Sequence, residues 1–83
     1  MNEKTLKALI DANAIKHINV IAQGDHFHVE VVTTGDSKVV TTGRGDIRLW
    51  RSIDACAKWI RKVGIGKAQL NLEKWQANQK ALI

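Results

Sequence analysis

The spacing of apolar residues divides the chain into a helical start, a strand-rich middle and a second helix. Leu6, Leu9 and Ile10 recur at helical spacing behind Asn2, a residue type that favours helix N-caps. The pattern therefore predicts an amphipathic first helix that fades near Asn13.

Alternating apolar and polar residues then predict antiparallel strands. The first covers residues 18–23 and the second 26–31, with turn residues Gly24-Asp25 between them. After another turn, the segment from Lys38 to Thr42 is rich in Val and Thr, which favour strands. The segment from Ile47 to Trp50 has the composition of a fourth short strand. We expect an antiparallel meander of three to four strands.

A second helix should begin after Ser52, with Asp54 favourably placed in its first turn and Gly64 at its end. On a helical wheel, one side is apolar and carries Ile53, Cys56, Ala57, Ile60 and Val63. The opposite side is mainly basic and carries Lys58, Arg61 and Lys62, together with Asp54. The predicted fold class is α+β: an N-terminal helix, the meander, and this amphipathic helix packed on one sheet face.

The C-terminal end of the chain supports two interpretations. Leu70 and Leu72 alternate with polar neighbours, as in a short strand. A frayed helix would instead be striped by Leu72, Trp75, Gln79 and Leu82. We favour a single domain over residues 1–83, in which about 68–83 forms an extended and then partly ordered end.

The net charge of +5 is concentrated in one stretch of the sequence. Residues 44–67 hold seven bases against two acids, whereas the rest of the chain holds six of each. Such a surface suits a phosphate backbone or an acidic protein, although a charged helix face is often simply solvated. Trp59 borders the basic side and could cover the core or stack on a partner. The expected contact residues are Arg44, Arg48, Arg51, Lys58, Trp59, Arg61 and Lys62.

Composition excludes several classes of protein. An apolar fraction of 45% with 25% charged residues argues against disorder. No apolar run approaches the ~20 residues of a membrane span, so we expect no membrane contact. A single cysteine cannot form an internal disulfide and fits the cytoplasm. Because a domain of this size buries only about 60–65% of its unfolded surface, association into a homodimer is a further expectation.

The residues that could carry chemistry form no convincing site. Cys56 falls on the apolar side of the second helix, where burial raises the pKa of a thiol. His26, His28 and Glu30 share one face of a predicted strand, and His17 could join them around zinc. A His-x-His pair without a second motif is weak evidence for a metal site. The chain contains no Gly-rich phosphate loop and no catalytic triad pattern. We therefore expect no enzyme activity, no metal and no cofactor.

Several segments resemble a known family. They are Leu6 to Ala14, Phe27 to Glu30, Arg48 to Trp59, Val63 to Gly66, and Trp75-Gln76. Together they resemble small ParC-type proteins associated with plasmid partition, over nearly the whole chain. The resemblance implies a bacterial plasmid or integrative-element protein encoded near a partition ATPase. It carries over no functional residues.

These observations favour a non-enzymatic accessory protein in plasmid partition or maintenance. Its basic helix would contact DNA, with little sequence preference, or an acidic partition protein. The alternative is a protein–protein adaptor that never touches nucleic acid. An enzyme or metal protein built on the histidine face has the least support.

Overall fold

The computed structural model describes residues 1–75 and has the predicted α+β fold class. The elements are α1 (Glu3–Asp11), β1 (Ile15–Gly24), β2 (His26–Thr33), β3 (Ser37–Val39), α2 (Ile53–Lys62) and β4 (Gln69–Trp75). The four strands form one sheet in the order β3-β2-β1-β4. Neither helix of this part is long and apolar enough to cross a membrane.

Helix α1 begins and ends as its sequence predicts. The Asn2 side chain accepts a hydrogen bond from the Thr5 amide at 2.8 Å, which caps the first turn. Asn13 takes a positive φ of 56°, a conformation that Asn tolerates and that stops the helix. Leu6 is fully buried, so the helix is fastened to the sheet through its apolar side.

Strands β1 and β2 form the predicted hairpin. They pair antiparallel from Ile15 opposite Thr33 to Gln23 opposite His26, and Gly24 turns the chain with a φ of 62°. The inward side of this hairpin is buried and consists of Ile18, Val20, Ala22, Phe27, Val29 and Val31. The hairpin thus supplies the floor of the core.

The expected strand at Ile47 to Trp50 is absent from the described residues, and that prediction was wrong. The segment makes only isolated bridges, Thr41 with Ile47 and Phe27 with Trp50. Trp50 exchanges backbone hydrogen bonds with Phe27 at 2.8 and 2.9 Å, and then the chain turns into α2. The strand predicted over Lys38 to Thr42 is likewise shorter, since β3 ends at Val39.

The fourth strand is β4, and it runs parallel to β1. Its extended conformation confirms the strand interpretation of Leu70 and Leu72. Its parallel pairing adds to the predicted antiparallel meander, which β1, β2 and β3 form. Trp75 packs on Phe27 with ring centroids 4.6 Å apart. Residues 76–83, including two positions of the alternative helical stripe, lie outside the described residues.

Helix α2 lies over the same core with a slightly different side inward than the wheel predicts. Cys56, Ile60 and Val63 are buried as expected, and Trp59 is buried with them. Ile53 and Ala57 are instead exposed. Trp59 turns inward because its ring packs against Trp50, with centroids 5.0 Å apart. This rotation leaves Ile53 and Ala57 at the edge of the helix that faces β4.

Candidate nucleic-acid interface

The N terminus of α2 is fixed by Ser52. Its side-chain oxygen accepts a hydrogen bond from the Ala55 amide at 3.2 Å, and Asp54 lies in the first turn. Gly64 follows the helix with a φ of 107°, a backbone conformation suited to glycine. With one side held in the core by four buried residues, the opposite side must face solvent.

The solvent side of α2 and the loop before it carry four of the six cations that the sequence predicts as contacts. We call this surface the α2 basic face: Arg51, Lys58, Arg61 and Lys62. All four residues are exposed. Within residues 1–75 none of them has a carboxylate oxygen within 4.0 Å of its charged nitrogens. Their charge is therefore available to an external anion.

Arg44 lies outside α2, at the tip of a tight turn. Its amide donates to the Thr42 hydroxyl at 3.3 Å, and the Gly45 amide donates to the Thr42 carbonyl at 3.0 Å. The Arg44 side chain is exposed, and within the described residues it forms no ion pair. It remains a candidate contact on a separate loop.

Arg48 is occupied by internal contacts. Its guanidinium carbon lies 5.1 Å from the ring centroids of both Trp50 and Trp59, within the range of cation–π attraction. One guanidinium nitrogen lies 3.5 Å from a Glu3 carboxylate oxygen. These contacts join α1, the segment before α2, and α2 itself.

Trp59, the remaining candidate, belongs to the same cluster. Its indole N–H donates to a Glu3 carboxylate oxygen at 2.8 Å, and only 6% of the residue is exposed. This hydrogen bond, more than the charges of Lys7 and Arg48, holds the pKa of Glu3 below its ordinary value. We define Glu3, Arg48, Trp50 and Trp59 as the Glu3 cluster. Trp59 is buried with its N–H bonded, and the Arg48 guanidinium is ion-paired with Glu3 over two indole rings, so the contact surface proposed below consists of the exposed cations alone.

The other chemical candidates are dispersed. Cys56 is fully buried, and burial raises the pKa of its thiol to about 11, so it is protonated at neutral pH. Among residues 1–75 no group of three His, Cys, Asp or Glu side chains is placed to hold a metal ion. His17 pairs with Val32 and His28 with Ile21, so the two histidines lie about 13 Å apart along the sheet.

A basic cleft lies beyond the end of α2. It has a volume of about 720 Å³ and runs between the turn after α1 and the segment before β4. Lys16, His17 and Lys67 line it, and its lining includes no carboxylate. Positive charge thus extends past α2 to this side of the molecule.

One comparison with known proteins identifies a family. No curated protein and no solved structure is significantly similar to this chain. A family model described as ParC-like matches residues 1–79, which is nearly the whole length. The chain belongs to the ParC-like family.

Proposed function

We propose that this protein is a non-enzymatic accessory factor in plasmid partition or maintenance, and that it contacts DNA through the α2 basic face. The observation that carries the proposal is the set of four exposed cations that form no ion pair within the described residues. The plasmid setting is what the resemblance to ParC-type proteins implies, and the chain's membership of the ParC-like family is compatible with it.

The contact would be made to phosphates. Arginine and lysine on a helix face neutralise backbone charge whatever the base sequence, and the residues of this face form no clear base-reading motif. Arg44 would add a fifth cation from its own loop. We therefore expect loose binding with weak sequence preference.

The test is a titration of duplex DNA against the full chain at several salt concentrations. On duplex DNA each neutralised phosphate contributes about −0.9 to the slope of log K against log salt. Four or five cations in contact with phosphates predict a slope of log K against log salt of about −4. Replacing Arg61 and Lys62 together with alanine should flatten this slope by about two units, because both side chains are exposed.

A matched control is the double variant Lys4→Ala and Lys38→Ala. It removes the same charge from exposed positions on α1 and β3, so the slope should stay near that of the wild type. Equal flattening in both double variants would mean that net charge, and not the α2 basic face, governs binding.

The alternative function is a protein–protein adaptor in which the same cations meet an acidic partition protein. An observation in its favour is that the α2 basic face borders exposed apolar residues, such as Ile53, which DNA would not need. Absence of DNA binding even at about 50 mM salt, where phosphate contacts are strong, would leave this adaptor in front.

A further inference from the structure

Strand β4 is an edge strand with exposed apolar side chains. Within residues 1–75 it pairs with β1 on one side only. About half of each of Leu70 and Leu72 is exposed. Such an edge offers unpaired backbone groups together with apolar area, which is the combination that a partner strand can use.

The two ends of β4 differ as edges. The pairing with β1 is regular from Gln69 to Asn71 and shifts beyond, between Ile21 and Gln23. In the irregular part the Asn71 side chain accepts a hydrogen bond from the Glu73 amide at 2.9 Å, so that amide is already satisfied. The N-terminal half of β4 is therefore the better place for an added strand.

An apolar groove runs beside this half of β4, between the strand and α2. Its volume is about 270 Å³. The side chains that matter here are the apolar Ile53, Ala57, Ile65 and Leu70 and the basic Arg61 and Lys67. Ile53 and Ala57 face the groove because α2 is rotated to bury Trp59. The groove thus has apolar walls and two cations, and no acid lines it.

We propose that this groove and the N-terminal half of β4 bind an extended acidic segment of a partner protein. The segment would add as a strand beside β4, with every second side chain apolar and directed into the groove. Carboxylates at the ends of the segment would pair with Arg61 and Lys67 at the rim of the groove. A second copy of the chain fits less well, because it would bring further positive charge to a rim that is already basic. This inference does not depend on DNA binding by the α2 basic face.

The experiment measures binding of three dye-labelled peptides, each the length of β4, to the full chain by fluorescence anisotropy. In the valine–glutamate peptide, valines alternate with serines between terminal glutamates, so that the valines share one face. In the valine–lysine peptide lysines replace the glutamates, and in the third peptide serines replace the valines. We expect the valine–glutamate peptide to bind at least about tenfold more tightly than either of the others. Its addition should also slow hydrogen exchange at β4 amides.

Two matched variants locate the binding site. Ile53→Glu places a carboxylate in the groove, whereas Ala55→Glu places one on the exposed part of the same helical turn. Both change the net charge equally and should leave the fold intact, as thermal melts would verify. Ile53→Glu should weaken the valine–glutamate peptide by about tenfold, and Ala55→Glu should leave its affinity near that of the wild type.

Three outcomes would overturn the proposal. Equal loss of affinity in both variants would show a general charge effect. Equal affinity for the valine–lysine and valine–glutamate peptides would show that Arg61 and Lys67 do not contact the peptide. A dimer in sedimentation that only Ile53→Glu dissociates would make the groove an interface between copies. None of these outcomes bears on the salt dependence of DNA binding, so the two proposals can fail separately.

Discussion

The two sides of α2 differ in the environment of their side chains. On the inward side Cys56, Trp59 and Ile60 are nearly excluded from solvent. On the outward side the long side chains of Lys58 and Lys62 extend into water, without an acid within reach in the described part of the chain. A cation's position in the sequence therefore does not decide whether it is paired within the protein or exposed to solvent. What decides it is whether the fold brings a partner to the cation.

Arg48 makes the same point from within the charged stretch. It lies in the same basic stretch, residues 44–67, as Arg51, which is only three positions away. Yet Arg48 lies over two indole rings and beside Glu3, whereas Arg51 is exposed. The stretch therefore contains one cation used for packing and others left for binding.

The largest effect is expected from a charge on the inward side. Ile60→Asp places a carboxylate in the core and should lower the free energy of unfolding by about 3–5 kcal/mol, measured in urea melts. A loss below ~1 kcal/mol would mean that this side of α2 is not packed as described.

The second prediction concerns the rim between the two sides of α2. Trp59→Phe keeps an aromatic ring but removes the N–H that donates to Glu3. It should lower the free energy of unfolding by about 2 kcal/mol. Glu3→Gln should cost less. In a double-mutant cycle Trp59→Phe and Glu3→Gln should couple by about 1 kcal/mol. As a control, Asp11→Asn, which lies on α1 with Glu3, should show no coupling with Trp59→Phe.

The Glu3 cluster also predicts a dependence of stability on pH. The folded protein lowers the pKa of Glu3 from its ordinary value of 4.5, so the carboxylate form favours folding. This contribution is fully present above that value and is lost as the pH falls through the folded pKa. Melts across the acid range should show the loss in the wild type, and Glu3→Gln should show a smaller one.

The buried thiol gives a prediction with the opposite sign. The pKa of Cys56 rises from 9.0 to about 11 on folding, so the unfolded thiol ionises first and stability falls between these pH values. Cys56→Ala should remove that part of the fall, and the chain has no tyrosine to obscure it. At neutral pH, rapid reaction of the native protein with a thiol reagent would contradict the burial of this side chain.

The smallest effect belongs to the outward side. Lys58→Ala should change the free energy of unfolding by less than about 0.5 kcal/mol in the same urea melts, because the side chain is exposed and lacks an ion pair in the described structure. If this variant matched Ile60→Asp, the assignment of the two sides of α2 would be reversed.

Local sequence patterns predicted the parts of the fold that local interactions determine. Asn2 and Ser52 cap their helices within one turn, and Gly24 turns a hairpin whose strands are neighbours in sequence. The contact of Glu3 with Trp59 joins residues 56 positions apart, and no periodicity reveals it. For this reason the concentration of bases in residues 44–67 was predicted, but the internal contacts of Arg48 were not.

The misplaced fourth strand has a similar explanation. The segment from Ile47 to Trp50 has strand-forming residues and lies near the meander in sequence, so local evidence favours it. The sheet instead extends through Leu70, which pairs with Val20 in parallel. A parallel partner requires a crossover connection, and its identity depends on packing that the pattern of a single strand does not contain.

The parallel pairing of β1 with β4 has a consequence for folding kinetics. Gln23 and His26 pair across a tight turn, whereas Asn19 and Gln69 pair about fifty residues apart. Closing the longer loop costs more chain entropy, so the hairpin can form early while β4 must wait for α2 to bring it back to β1. The strand that completes the sheet should be the last to join and the first to open, and a segment that binds along it would slow its opening.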